Sequence, residues 1–303
     1  MSNKLLQDAL KQDQRALAQL LTVIEERGDG AREAMAHIYD HLQGARVVGV
    51  TGPPGSGKST LISECLKLLR SRNETVAVVA IDPSSPLSGG ALLGDRIRMM
   101  ESSADHGVFI RSLASRGFHG GLSRATRDVV TTLDAAGFQW IFVETVGVGQ
   151  GEFDIAGLAE TTILVLVPES GDTIQTMKAG VMEIADLFVV NKNDRDGAGE
   201  LAQEIRAQSP SPVLLTTASM GKGIEEVLQG IEVQRAKLAH DEGHRHKQRE
   251  LRKTAFLELL RDELTLRVLE KMKRDQTAQD LVDDVASGKQ NPYRALEPML
   301  KRL

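Results

Sequence analysis

The chain has 303 residues, 41% hydrophobic and 26% charged, with a net charge of −5. That length accommodates one large domain, or a core domain with appended helices, and the acidic balance with 3% aromatics argues against a nucleic-acid partner. A lone cysteine, Cys65, rules out an intramolecular disulfide and a metal site of paired cysteines, as expected of a cytoplasmic chain.

The N-terminus, MSNKLLQDALKQDQRALAQLL, carries charges every few residues, unlike a signal peptide or a membrane span. Leu6, Leu10, Leu17, Leu20, Leu21 and Ile24 recur at helical spacing, and RGDG from Arg27 breaks the pattern. Residues 1–44 therefore read as a helical extension. From Arg46 the texture changes to short β-branched runs: VVGVT, TVAVVAID, GVFIRSL, WIFVET, TTILVLVP, LFVVNK and PVLLTTA. Near-continuous apolar strands alternating with helical stretches predict an α/β fold, a doubly wound, mostly parallel sheet covered on both faces. Cys65, within the helical LISECLKLL, reads as a packing residue. After Gly221 the pattern becomes charged and helical over an unusually long stretch, with a break expected near Gly243. The domain reading is an extension at 1–44, a nucleotide domain at 45–235 and a helical arm at 236–303.

Gly52-Pro53-Pro54-Gly55-Ser56-Gly57-Lys58-Ser59 matches G-x-x-x-x-G-K-[ST] between the strand VVGVT and the helix TLISECLKLL. A tight turn alone also uses glycine and proline, but strand, motif and helix agree on a polyphosphate cradle. In it Gly52, Pro54, Gly55, Ser56, Gly57 and Thr60 shape the loop, Lys58 reaches the β- and γ-phosphates and the Ser59 hydroxyl can ligate Mg²⁺. Later, VVNKND places Asn191, Lys192 and Asp194 at a strand end. A carboxylate accepts from both N1–H and the 2-amino group of guanine, whereas adenine offers neither donor, so Asp194 selects GTP and GDP. The TTAS stretch can bring a backbone N–H from Thr217, Ala218 or Ser219 to guanine O6. A surface turn is the bland reading of the same Asn and Asp residues.

Glu144, ending WIFVE, stands where an acid should hold Mg²⁺ or its water, and the Gly147 N–H can meet a γ-phosphate. Asp82 and Asp95 are further metal candidates, although Asp82-Pro83 is also a common turn opening and Asp95 a possible helix cap. The wording DPSSPLSGGALLGDRIRM, RSLASRGFHGGLSRAT, ETVGVGQGEFD and PESGDTIQTMKAGVMEIAD resembles the MeaB/ArgK family of P-loop GTPases, which includes the methylmalonic aciduria type A protein.

The resemblance implies a GTPase acting as chaperone for an adenosylcobalamin-dependent acyl-CoA mutase, typically methylmalonyl-CoA mutase. It implies that Asp82, Asp95 and Glu144 surround Mg²⁺ with Ser59, and that Glu144–Glu152 is a switch. It further implies a second switch at Glu169–Lys178, with Asp172, Gln175 and Lys178 facing the partner, and a homodimer joined through C-terminal helices. The TTAS stretch departs from the family's usual serine-alanine pair, and RDGAGE, after NKND, has no motif reading. Gln150 and His119 sit near the expected active loops without an assigned role. His240, His244 and His246 form the histidine cluster of the chain, with a solvated charged face and a metal site as its two readings. The rival functions are a GTP-dependent metallochaperone, an amino-acid transport-associated kinase and a non-hydrolysing scaffold.

Overall fold

The computed structural model describes residues 3–82, 105–114, 124–145, 155–170 and 182–301. Among them are seven strands: β1 (Arg46–Thr51), β2 (Val76–Asp82), β3 (Val108–Ala114), β4 (Trp140–Thr145), β5 (Thr161–Leu166), β6 (Leu187–Val190) and β7 (Val213–Leu215). All neighbours pair in parallel, in the order β3-β2-β4-β1-β5-β6-β7. The expected fold is therefore present, with no antiparallel strand among the described residues, and β7 stops at Leu215, three residues short of the end of the PVLLTTA run.

Alternation along each strand sorts side chains onto two faces. On one face Val48, Val50, Trp140, Phe142, Ile163 and Val165 pack with helices α4 (Lys58–Ser71) and α7 (Ile224–His240). Cys65 belongs to that layer, where burial first and Glu64 second push its thiol up to about 12, so it remains a neutral packing group. On the other face Ile141 and Val143 pack with α1 (Asn3–Leu10), α2 (Gln14–Glu25), α3 (Ala31–Tyr39) and α5 (Arg124–Ala135). Leu164, Leu166, Phe188 and Val190 of that same face pack with α6 (Ala198–Gln208). The N-terminal helices thus supply one wall of the main core: Leu17, Leu20 and Leu21 are fully buried.

Edge strand β3 is tied down by side chains, which leaves its polar backbone less available for intermolecular pairing. Gln14 donates to the Val108 carbonyl at 3.1 Å, and Arg111 of β3 pairs with Glu25 at 2.7 Å. At the opposite end of α4, Arg70 forks onto Asp105 with bonds of 2.8 and 2.9 Å, and Asp105 also accepts from Gly107 N at 2.8 Å. A Cβ at 107 would lie 2.3 Å from Arg70 Cζ, so any side chain there must displace the guanidinium from this fork.

At the N-terminal end of the sheet, α7 is anchored by polar side chains: Arg46 of β1 pairs with Glu232, and Arg235 pairs with Glu160 and donates to the Gly44 carbonyl at 2.9 Å. The chain divides into two compact units after Lys237. The second contains α8 (Glu242–Arg274), α9 (Gln276–Ala286) and α10 (Pro292–Leu300). The helix break falls at Asp241, whose carboxylate accepts from Gly243 N at 2.7 Å. At 33 residues α8 extends about 50 Å. Asp275 and Asn291 cap α9 and α10 with their side chains. No described helix is long and apolar enough to cross a membrane.

The Arg70 guanidinium, with the Gly107 N–H, holds the Asp105 carboxyl below the usual carboxylate range. A depressed folded-state pKa gives stability that is present above the unfolded value and lost as pH falls through the folded one. Asp105→Asn is expected to cost about 1 kcal/mol at neutral pH, the upper end for a partly exposed pair. Denaturant unfolding across pH should show the gap between variant and wild type closing in acid; a pH-independent gap would mean that charge is not the cause.

Candidate functional site

The central strand β1 lies between β4 and β5, so its carboxyl end is where successive connections leave in opposite directions, the usual position of a ligand crevice. Residues 52–57 leave β1 there and enter α4. Gly52 has φ +140°, and a Cβ on it would sit 2.1 Å from the Val165 carbonyl oxygen; only glycine lets the loop pass that close to β5. Gly57 has φ +91°, and its Cβ would lie 2.3 Å from Asn191 Nδ2. Pro54 and Gly55 are exposed at the loop's outer turn, while Ser56 is buried.

Lys58 opens α4 and is buried, with Nζ donating to the carbonyls of Gly52 at 2.9 Å and Pro53 at 3.2 Å. Its ammonium is therefore folded over the loop it follows. Next to it, Ser59 Oγ donates to Glu144 Oε1 at 2.7 Å. Glu144 is buried near the carboxyl end of β4, in register with Val50. Thr60 continues α4, half-buried. One step beyond Glu144, Thr145 donates to Thr51 Oγ1 at 2.9 Å, a buried link between the ends of β4 and β1 that no motif announced.

Asn191 joins this loop to the next two. Its Nδ2 donates to the Ser56 carbonyl at 2.9 Å, and its Oδ1 accepts from Thr216 Oγ1 and from Ala218 N, each at 3.1 Å. Asn193 N donates to the Thr216 carbonyl at 2.9 Å, so the loops after β6 and β7 are also joined through backbone. Lys192 takes φ +57°, the left-handed region that non-glycine residues seldom occupy, and the chain then turns so that Asp194 is exposed. Thr217 and Ala218 are buried and Ser219 is exposed, in a short 3-10 turn.

The structure therefore brings Lys58, Ser59 and Glu144 together, and joins Asn191 to Ser56 and Ala218. Asp82 ends β2 at the same edge of the sheet, one position beyond the residue paired with Thr145, but its side chain lies outside the described residues. Asp95, His119, Gly147, Gln150, Asp172, Gln175 and Lys178 also lie outside them. Of the histidines, His240 ends α7 and His246 lies in α8, while the His244 side chain is outside the described set.

The chain was compared with known proteins. The family model described as "Methylmalonyl Co-A mutase-associated GTPase MeaB" matches residues 17–273. The chain belongs to the MeaB family. A Pyrococcus abyssi protein named as a GTPase is 42% identical over 100% of this chain and 97% of its own length. A mouse protein named "Methylmalonic aciduria type A homolog, mitochondrial" is 45% identical over 49% of this chain and 36% of its own. A crystal structure titled "LAO/AO transport system kinase" superposes with a TM-score of 0.67, covering 98% of this chain and 96% of that one at 24% identity, which bears on the fold alone. As a member of this family the chain is a P-loop GTPase.

Asn191 gives the site its sharpest test. Asn191→Ala removes three hydrogen bonds from buried groups and leaves their partners unsatisfied, at a cost of about 1–3 kcal/mol. Guanine-nucleotide affinity is expected to fall more than tenfold with only a modest drop in melting temperature. Unchanged affinity measured by fluorescent-nucleotide titration would show that the three loops hold their positions without this side chain.

Proposed function

We propose that this chain hydrolyses GTP to GDP and phosphate and uses that cycle as a chaperone for an adenosylcobalamin-dependent acyl-CoA mutase. The observation that carries the hydrolytic reading is the grouping of Lys58, Ser59 and Glu144 at the carboxyl end of β1, beside a loop whose glycines admit close backbone approach. Membership of a family described as methylmalonyl-CoA mutase-associated supports the mutase as partner.

Lys58 and the backbone N–H groups of residues 55–60 bind and neutralise the β- and γ-phosphates. The hydroxyl of Ser59 and the carboxylate of Glu144 are hard oxygen donors already 2.7 Å apart, a set that fits Mg²⁺, with Asp82 and Asp95 as the further candidates. Ser59 and Glu144 would hold the ion, which would supply neutralisation of the charge that develops on the phosphates. Gly147 is proposed to donate its N–H to the γ-phosphate. Asp194 accepts from the guanine N1–H and 2-amino groups, Asn191 and Lys192 shape its loop, and a backbone N–H from Thr217, Ala218 or Ser219 meets O6. The segment Glu169–Lys178 emerges at the ligand end of β5 and is the proposed contact with the mutase.

A homodimer through the C-terminal unit is part of this reading. Phe256, Leu257, Leu260 and Leu264 are exposed on α8, an apolar run that an isolated chain leaves in water. Three domains at 1–44, 45–235 and 236–303 remain the functional division proposed, the first acting as a wall of the GTPase core.

The test is GTP turnover of wild type and Lys58→Ala, each with and without purified methylmalonyl-CoA mutase. Wild type should turn over slowly alone and faster with the mutase, and Lys58→Ala should lose at least a hundredfold in both conditions. Turnover retained in Lys58→Ala would overturn the site; a mutase that neither binds the wild type nor changes its turnover would overturn the chaperone role.

A further inference from the structure

The RDGAGE stretch acquires a meaning from the fold. Arg195 stands between two acidic neighbours, Asp194 and Asp196, yet among the described residues its guanidinium pairs with neither of them. It pairs instead with Glu169, 26 positions earlier in the chain. Glu169 lies in the short turn Pro168–Ser170 that follows β5, and Arg195 closes the turn that follows β6, its N–H donating to the Lys192 carbonyl at 2.9 Å. Because β5 and β6 are neighbours, the two turns meet: a Cβ at Gly197 would lie 3.7 Å from Pro168 Cβ.

We propose that Glu169 holds the Arg195 guanidinium away from the adjacent Asp194 carboxylate, and so preserves the acceptor with which Asp194 selects guanine. This rests on the reading of Asp194 as the guanine contact. A guanidinium has five donors in a planar fork that matches a carboxylate, and one residue away it is a strong competitor for the acceptor sites that the base needs. Glu169 is half-exposed, as is Arg195, and pairs of that kind add little to stability. The effect of this pair is therefore on where one positive charge sits. The Glu169 carboxyl is ionised at neutral pH, and backbone hydrogen bonding at Glu169 itself, with the Arg195 guanidinium second, lowers its pKa further, so the pair persists into mild acid. Among the described residues, Lys192, on the same turn as Arg195, adds to the attraction for Glu169. Glu169 also opens the segment proposed to meet the mutase, so a partner that draws this residue away releases Arg195 onto Asp194 and loosens guanine binding.

The experiment measures GDP and GTP affinity of the full chain by titration with fluorescent nucleotide. The proteins are wild type, Glu169→Ala, Glu169→Gln, Arg195→Ala, the Glu169→Ala/Arg195→Ala double variant and Asp194→Asn, with melting temperature recorded for each. Glu169→Ala should weaken binding about three- to tenfold, while Arg195→Ala and the double variant bind within about twofold of wild type, because removing the competitor removes the need to restrain it. Glu169→Gln, which keeps the size and loses the charge, should fall on the weak side. Wild-type affinity in Glu169→Ala, or a double variant as weak as Glu169→Ala, overturns the inference. Equal losses in all three would show that the pair merely clamps two loops, and also overturn it. If Asp194→Asn binds guanine nucleotides as wild type does, the guanine reading itself fails, an outcome separate from the others.

Discussion

The carboxamide of Asn191 is the interaction on which the site depends. It satisfies a carbonyl of the phosphate loop, a threonine hydroxyl and a backbone N–H beyond β7 with one rigid planar group. The orientation of that amide is dictated by its partners: Ser56 presents an acceptor and Ala218 N a donor, so nitrogen must face the first and oxygen the second. Gly57 is constrained by the same group, since any side chain there would collide with Nδ2. The phosphate loop and the loops expected to meet the base are thus one polar network, buried, and intolerant of partial loss.

What makes this network possible is the sheet beneath it. Each strand contributes buried or partly buried residues to both faces of the sheet. Gly49, in the middle of β1, has no room for a side chain because Ile155 and Ala159 occupy the space over it, Ile155 at 2.7 Å from a would-be Cβ. Thr145 and Glu144 are bonded to β1 and α4, and Ile155 packs onto Gly49, so β1 is held from both sides beneath the ligand edge of the sheet.

Much of this was legible in the sequence because its signals are local. The seven strands declared themselves by continuous apolar runs and the phosphate loop by a motif in strand–helix context, while the grouping of Glu144 with Ser59 came only from the family resemblance. The extension at 1–44 was readable as helices from its periodicity, but periodicity cannot say what the apolar stripe faces, and Leu17, Leu20 and Leu21 turn out to line the GTPase core itself. Long-range polar contacts were the least legible. Nothing in the wording shows that Arg195 reaches Glu169 across 26 positions, or that Thr51 and Thr145 meet, because each depends on which strands the fold makes adjacent. RDGAGE resisted interpretation for that reason: its arginine completes a contact whose other half lies on a different strand's loop.

The four residues of NKND show how different constraints can select successive letters of one motif. An aspartate at 191 would face the Ser56 carbonyl with a second acceptor and bury a charge, and a glutamine would push the amide one methylene too far for all three of its bonds. Lys192 accepts a left-handed backbone, which costs a β-carbon-bearing residue free energy but reverses the chain within one step. Asn193 returns its N–H to the Thr216 carbonyl, and Asp194 follows at the surface. The buried end of the motif is set by the phosphate loop, and its exposed end carries the carboxylate proposed to meet the base. Since both hang on the same four residues, a change that moves this turn must also disturb the phosphate loop bonded to Asn191.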